Sequence, residues 1–100
     1  MKLLNDELIK ALPPLYSTEN IKDPIVLCKF FIPDSSWSWY VLEFDKTNGI
    51  FFGYVCGVEN ELGYFSLEEL ESVKGQLGLG VERDLSFKPK KLSVIKKERQ

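Results

Sequence analysis

Between Ile25 and Val58 the chain is rich in β-branched and aromatic side chains, and turn-forming residues interrupt it twice, at Pro33–Ser35 and at Asp45–Gly49. The pattern predicts three strands, Ile25–Ile32, Ser36–Phe44 and Ile50–Val58. Because both connections are short, we expect an antiparallel meander with the second strand in the centre.

The second turn also indicates a register for this meander. With Phe44 opposite Ile50, one face carries the pairs Glu43/Phe51, Val41/Gly53, Trp39/Val55 and Trp37/Gly57. The other face carries Ser38, Tyr40, Leu42 and Phe44 opposite Cys56, Tyr54, Phe52 and Ile50. Both faces are largely apolar, so either both are covered by other elements or one of them binds a partner.

Two helices are predicted outside these strands. Asn5 can cap a first helix that ends near Leu12, because Pro13-Pro14 forbids its continuation. A capping box, Ser66 with Glu69, marks the start of a second helix.

The second helix is predicted over Leu67–Lys74, with Gly75 as a left-handed residue after its end. Further short strands are expected at Glu61–Phe65 and Val81–Phe87.

The whole pattern predicts a single α+β domain over residues 1–87, with an antiparallel meander of three to five strands and two short helices. A chain of 100 residues, 44% of them hydrophobic, can bury one core but not two. Residues 88–100 are expected to form a basic, weakly ordered tail.

The absence of histidine and the small number of cysteines exclude several classes of enzyme and metal site. The chain contains no histidine, so His-dependent triads and HExxH metalloprotease motifs are excluded. Its two cysteines, Cys28 and Cys56, are too few for a structural zinc site. We expect two buried, reduced thiols on strands either side of the central one, with a catalytic thiol as the alternative. No metal or cofactor is expected.

The distribution of apolar residues gives no sign of membrane insertion or export. No apolar run approaches the roughly 20 residues of a membrane helix. The first residues lack the apolar core of a signal peptide. We therefore expect a cytoplasmic protein.

Charges are segregated although the net charge is only −2. Residues 59–71 contain no basic residue and hold Glu59, Glu61, Glu68, Glu69 and Glu71. The C-terminal tail offers candidate phosphate contacts at Lys88, Lys90, Lys91, Lys96 and Lys97. Because the rest of the domain is acidic, these cations are only a weak indication of nucleic-acid binding, and a tail exposed to solvent is the favoured interpretation.

The Trp37–Trp39 face is the predicted partner-binding surface. Two short helices cover one face of a small sheet more readily than two faces, and Trp37 and Trp39 lie against Gly53 and Gly57, which leave space beside the rings. The candidate contacts on this face and its rim are Trp37, Trp39, Glu43, Phe51 and Arg83. The alternatives to a partner-binding surface are that these aromatic residues stack on nucleic-acid bases or that they simply belong to the core.

Carboxylates could serve a hydrolase, but their spacing matches no metal motif. The residues in question are Glu43, Asp45, Glu59, Glu61 and Asp84. Of these, Glu43 is the most interesting because the predicted alternation places it on the apolar Trp39 face, where general acid chemistry would be favoured. The alternative is a strand-end carboxylate that reaches solvent or Arg83.

Several short strings resemble one bacterial family, a domain of unknown function numbered 2958. They include LPPLY at 12–16, FFIPD at 30–34, WSWY at 37–40, EFD at 43–45, FFG at 51–53, ELGYFSL at 61–67 with ELE at 69–71, and ERDL at 82–85. The resemblance spans Leu12 to about Pro89. It implies an association with plasmids, phages and integrative elements, but it transfers no catalytic or binding residue.

The leading functional hypothesis is a non-enzymatic protein-interaction module of a mobile genetic element, which modulates host defence or element transfer. Its protein partner is unidentified, and self-association into a homodimer is the alternative mode. A nucleic-acid accessory module that uses the aromatic face and basic tail is the second hypothesis. A carboxylate-dependent hydrolase is the third.

Overall fold

The computed structural model describes residues 2–100 and contains three helices and seven strands within them. In chain order these are α1 Asp6–Ala11, β1 Ile25–Val26, β2 Cys28–Phe31, β3 Ser38–Asp45, β4 Ile50–Cys56, β5 Asn60–Ser66, α2 Leu67–Ser72, β6 Glu82–Arg83, β7 Lys90–Lys91 and α3 Leu92–Glu98. Short helices combined with an antiparallel sheet confirm the predicted α+β class. The third helix was not predicted.

Five strands form the main sheet in the order β5-β4-β3-β2-β6, and all neighbours are antiparallel. The predicted central strand, β3, lies in the middle of it. The predicted first strand is divided at Leu27, so that β2 joins this sheet while β1 pairs with β7 in a separate two-stranded sheet. The short strands predicted at Glu61–Phe65 and Val81–Phe87 appear as β5 and β6, one longer and one shorter than expected.

A β-bulge at Leu42 changes the register between β3 and β4. The pairs that precede it are those predicted, but beyond it Glu43 pairs with Phe52. The bulge adds one residue to β3, so each residue of β3 after it lies on the face opposite to the one predicted. The prediction that Glu43 lies on the Trp39 face is therefore wrong, and Phe44 takes its place there.

Two glycines lie side by side next to this bulge. Gly53 pairs with Val41 on one side and with Gly63 of β5 on the other. A side chain at Gly53 would overlap the carbonyl oxygen of Tyr40, so the close approach of the bulged strand requires glycine. A side chain at Gly63 would meet open space.

The Trp39 face of the sheet holds the larger core. At its centre, the ring of Phe51 lies 4.5 Å from that of Phe44 and 5.2 Å from that of Phe65, centroid to centroid. Side chains from the segments before and after α1, from α2 and from the loop before β6 pack with these rings: Leu3, Leu4, Leu12, Leu70 and Val81. Most of this face is thus covered, contrary to the expectation that it would be the more open one.

The opposite face is covered by α3, where a weakly ordered tail was expected. Leu92 and Ile95 are buried against Tyr40, Tyr54 and other residues of this face. In the sequence, charged residues flank these two apolar residues on both sides, so the pattern does not stand out as the buried face of a helix.

The predicted helix starts are confirmed. Asn5 Oδ1 accepts the backbone N–H of Leu8 at 2.8 Å, and Ser66 Oγ accepts that of Glu69 at 3.0 Å. The second helix ends two residues earlier than predicted, and Gly75 does not adopt a left-handed conformation. Among residues 2–100, no helix has both the length and the apolar composition that a membrane crossing requires.

Candidate functional site

A groove of about 890 Å³ opens on the Trp39 face, at the part of the sheet that the helices leave uncovered. Trp37 lines it from the turn before β3, Trp39 from β3 and Val55 from β4. Glu61, Gly63, Tyr64 and Phe65 of β5 form one wall, and Glu69 of α2 with residues 73–76 forms the other. The groove is an apolar depression between an edge strand and a helix.

Trp37 is the exposed aromatic residue of the groove. Its side chain is 38% exposed, whereas Trp39 beneath it is 5% exposed. The two ring centroids are 5.8 Å apart, with 31° between the ring planes. A side chain at Gly57 would overlap the Trp37 ring, so glycine at that position lets the indole lie flat on the sheet, as the predicted pair implied. The indole is held in place from two sides and remains accessible from the third.

Carboxylates surround this apolar surface. Glu59, Glu61 and Glu69 line the groove, with Lys74 as the cation among its lining residues. The ion pairs seen within residues 2–100 involve other side chains, so these glutamates are not neutralised by a direct contact with a cation. Because an apolar wall strengthens the field of nearby charges, the groove presents a negative potential to solvent.

Asp34 fixes the turn of residues 74–80, whose first residues belong to this wall. Its Oδ2 accepts the backbone N–H of Leu77, and Gly75 passes so close to the carboxylate that a side chain there would overlap it. A backbone bridge between Lys74 and Gly80 closes the turn. Gly75 is thus explained by this close approach and not by the helix end that the sequence indicated.

Glu43, a predicted partner contact, is a buried anchor instead. It is 2% exposed, and its carboxylate accepts the backbone N–H groups of Tyr16 and Thr18 at 2.8 Å each, together with the Thr18 hydroxyl. Tyr16 has a positive φ of 70°, which these bonds hold in place. Glu43 therefore fastens the loop after α1 to the sheet, on the face opposite the groove.

The remaining predicted contacts do not meet at the groove. Phe51 is 0% exposed and Trp39 is buried, so neither presents a surface to a partner. Arg83 lies in β6, where its guanidinium donates to the carbonyl oxygen of Leu3 at 2.6 Å and ties the N-terminal segment to the sheet. Of the five candidates, only Trp37 is an accessible groove residue.

The basic C-terminal residues lie away from the groove. Lys90 pairs with Glu98 at 3.3 Å, and Lys96 Nζ lies 5.8 Å from the ring centroid of Tyr54. Both belong to the side of the sheet that α3 covers, whereas Trp37 belongs to the other side. The aromatic surface and the cations Lys88, Lys90, Lys91, Lys96 and Lys97 therefore do not form one continuous surface.

The carboxylates considered for hydrolysis are dispersed. Glu59 and Glu61 line the groove, while Asp84 forms an ion pair with Lys29 at 4.0 Å on another side. Asp45 caps its own turn, and its hydrogen bond from the Asn48 side chain lowers its pKa. Within residues 2–100, no three His, Cys, Asp or Glu side chains are grouped as metal ligands would be.

Both thiols are free and buried on opposite faces of the sheet. Burial raises the pKa of Cys28 to about 12, so this thiol stays protonated near neutral pH and is a poor nucleophile. The prediction of reduced, buried cysteines on either side of the central strand is confirmed.

Residues of the groove wall were missed by the sequence analysis. Val73 and Lys74 were assigned to the second helix and Gly75 to the residue after its end, so the position of residues 73–76 over the sheet was not expected. Gly63 could have been found, because strand alternation from Phe65 and Glu61 puts it on the same face.

Comparison with known proteins identifies a family but no characterised relative. No curated protein and no solved structure shows significant similarity to the chain. The family model described as "Protein of unknown function (DUF2958)" matches residues 3–98. This match covers nearly the whole chain and confirms the resemblance carried by the sequence strings. The chain therefore belongs to the DUF2958 family.

Proposed function

We propose that this protein is a protein-interaction module that binds a partner protein in the groove around Trp37. The observation that carries the proposal is the indole itself, 38% exposed and supported by Gly57 and Trp39 on the floor of an open groove. A tryptophan that served only the core would be covered, as Trp39 is.

The composition of the groove fits a protein interface. Interfaces combine an apolar centre with a polar rim, and tryptophan is enriched among the residues that dominate binding energy. Here Trp37 and Val55 supply the centre, and Glu59, Glu61 and Glu69 supply the rim. Because the ring is already fixed by its neighbours, little side-chain entropy is lost on binding.

The other two hypotheses draw less support from the geometry. A nucleic-acid module would need its cations beside its aromatic surface, but the groove is rimmed by carboxylates. A hydrolase centred on Glu43 would need that carboxylate to face a cavity, but its oxygens are occupied by Tyr16 and Thr18.

The association with a mobile genetic element is what the family resemblance implies. We propose that it acts in the cytoplasm as part of a mobile genetic element, where its partner belongs to host defence or to the machinery of element transfer. A partner retrieved through the groove would test this setting directly.

Differential affinity capture tests the groove as a binding site. The tagged wild-type chain and three variants, Trp37→Ala, Gly63→Trp and Leu85→Ala, would be exposed to an extract of the native host. Gly63→Trp fills the groove from a position where a side chain has open space. Leu85→Ala is the matched control, because Leu85 is 72% exposed and lies outside the groove.

We expect a partner that is retained by wild type and Leu85→Ala and lost with the two groove variants. Truncation of a central interface tryptophan costs about 2 kcal/mol or more of binding free energy. Equal recovery by all four proteins, or recovery by none, would contradict the proposal. Circular dichroism and thermal melting of each variant would verify that its fold is intact.

A further inference from the structure

β5 is an edge of the main sheet with one unpaired side. Two hydrogen bonds define which of its backbone groups face outward: Gly57 N–H donates to Glu59 O at 3.1 Å, and Leu67 N–H donates to Gly49 O at 2.8 Å. Because bonded pairs alternate along an antiparallel ladder, the odd-numbered residues of β5 bond to β4. The N–H and C=O groups of Leu62 and Tyr64 therefore point away from the sheet, and none of the hydrogen bonds found within residues 2–100 uses them.

This edge lacks most of the features that usually prevent strand addition, and Glu61 is its one charged residue. Natural edge strands are shortened, bulged, or protected by lysine or proline. β5 has seven residues, contains neither Lys nor Pro, and pairs with β4 without a register shift. The opposite edge, β6, has only two residues. β5 is thus the long, regular edge of this sheet.

Exposed apolar surface lies on both faces beside this edge. On one face is the groove, where Gly63 leaves space for a side chain that belongs to another molecule. On the other face, Leu62 is 42% exposed, Tyr64 54% and Tyr16 63%. A strand placed beside β5 would project alternate side chains into these two surfaces.

We propose that β5 receives an extended segment of the partner as a sixth strand, and that this segment carries basic side chains facing the groove. This inference rests on the proposed function, because it specifies how the groove is occupied. The backbone of β5 supplies the hydrogen bonds, while Trp37 and Tyr64 supply apolar contacts on the two faces.

Charge complementarity decides the chemistry of the partner. Residues 59–71 contain five glutamates and no cation, and Glu61 and Glu69 face the groove where the sixth strand would lie. A basic segment would gain from this field, whereas a second copy of the chain would bring two acidic stretches together at the same edge. The occupant is therefore a basic extended segment of another protein.

Hydrogen exchange with model peptides tests the proposal. The probe is a blocked peptide of about ten residues that alternates lysine and valine, at the upper end of strand lengths and long enough to span the seven residues of β5. One control alternates glutamate and valine, and a second is the lysine peptide with alternate backbone nitrogens methylated to remove strand hydrogen bonding. Amide exchange of each residue of β5 and Trp fluorescence are followed in the wild-type protein.

We expect the lysine peptide to slow exchange of the Leu62 and Tyr64 amides by about tenfold, as a new hydrogen bond at each would. The amides of Glu61 and Gly63 already bond to β4 and should change little. Neither control peptide should protect Leu62 or Tyr64.

Any different result would overturn the inference, and the kind of result shows which part of it is wrong. A peptide that shifts the fluorescence of Trp37 without protecting Leu62 or Tyr64 would refute strand addition while leaving the groove as a binding site. Protection by the glutamate peptide would refute the basic partner. Protection that grows with protein concentration alone would identify a second copy as the occupant. Absence of any binding would refute the inference, while differential capture would still decide the proposed function.

A variant pair gives an independent test. Leu62→Pro removes one outward N–H without removing a bond to β4, and Leu62→Ala is its matched control. Binding of the lysine peptide should be lost with Leu62→Pro and kept with Leu62→Ala. If Leu62→Pro does not fold, the lysine peptide with methylated backbone nitrogens still tests strand hydrogen bonding, and Gly63→Leu tests separately whether the peptide enters the groove.

Discussion

The carboxylate of Asp23 accepts two hydrogen bonds from Ser93, one from the backbone N–H at 2.9 Å and one from the hydroxyl at 2.7 Å. Ser93 lies in the first turn of α3, which has no capping side chain of its own. Asp23 therefore caps the helix from a distant loop and helps to hold it on the sheet.

Replacement of Asp23 by Ala should lower the Tm, because the first turn of α3 loses its acceptor. Asp23→Ser, which can still accept one bond, should lower it less. Thermal unfolding followed by circular dichroism measures both. An unchanged Tm in Asp23→Ala would show that α3 does not depend on this cap.

The same contact predicts a pH dependence. The hydrogen bonds from Ser93 lower the pKa of Asp23 below its ordinary value of 3.8. A group whose pKa is depressed by folding adds stability above its unfolded pKa, and this stability is lost as the pH falls toward the folded pKa. The difference in Tm between wild type and Asp23→Ala should therefore narrow as the pH is lowered below about 4. A difference that stays constant over this range would contradict the assignment.

Removal of Ile95 tests whether the C-terminal helix belongs to the core. Ile95 is 1% exposed, so Ile95→Ala should reduce the free energy of unfolding by about 2 to 4 kcal/mol. Val94, 42% exposed on the same helix, is the control, and Val94→Ala should change it by about 0.5 kcal/mol or less. Urea denaturation measures both values. Equal, small effects would mean that residues 92–98 add nothing to the stability of the fold.

The buried carboxylate of Glu43 should be important for stability. Glu43→Gln replaces one accepting oxygen with a donor that faces another donor, so the free energy of unfolding should fall by about 2 to 3 kcal/mol. Glu59→Gln, on the exposed rim of the groove, should change it by less than about 0.5 kcal/mol. If Glu43→Gln were as stable as Glu59→Gln, the loop after α1 would not depend on this anchor.

Gly57 should tolerate no side chain while Gly63 tolerates one. Alanine at Gly57 would push the Trp37 ring out of place, at a cost of about 1 to 3 kcal/mol of stability and with a red shift of Trp fluorescence. Alanine at Gly63 meets open space and should leave both properties nearly unchanged. If both variants behaved alike, the packing of Trp37 on Gly57 would be refuted.

The sequence predicted the elements whose signals are local. The helix caps at Asn5 and Ser66, the central position of β3 and the first half of its register all follow from turns, alternation and hydrogen-bonding side chains within a few residues. The bulge at Leu42 has no such signal. Apolar residues run from Trp39 to Leu42 without alternation, so the pattern fits either register, and the choice depends on distant N–H groups that bind Glu43.

The candidate site could be predicted only in part for the same reason. Trp37 and its glycine are cross-strand neighbours, which alternation and turn length reveal. The wall opposite β5 depends on Asp34 binding the turn at Leu77, a contact across 43 residues of chain that no local pattern indicates. The burial of Trp39 follows from helices docking on a face that the sequence left open.

The neighbouring glycines Gly53 and Gly63 have a mechanical consequence for the outer strand. Cross-strand side-chain pairs stabilise neighbouring strands against each other, and this pair has no side chains to contribute. On one side of it the rings of Phe51 and Phe65 stack with their centroids 5.2 Å apart, and on the other Leu62 lies opposite Tyr54. The outer strand is therefore held near both ends, by the hydrogen bond that the Asn60 side chain donates to the carbonyl oxygen of Arg99 and by the stack of Phe51 on Phe65, and it twists most easily at the glycine pair between them.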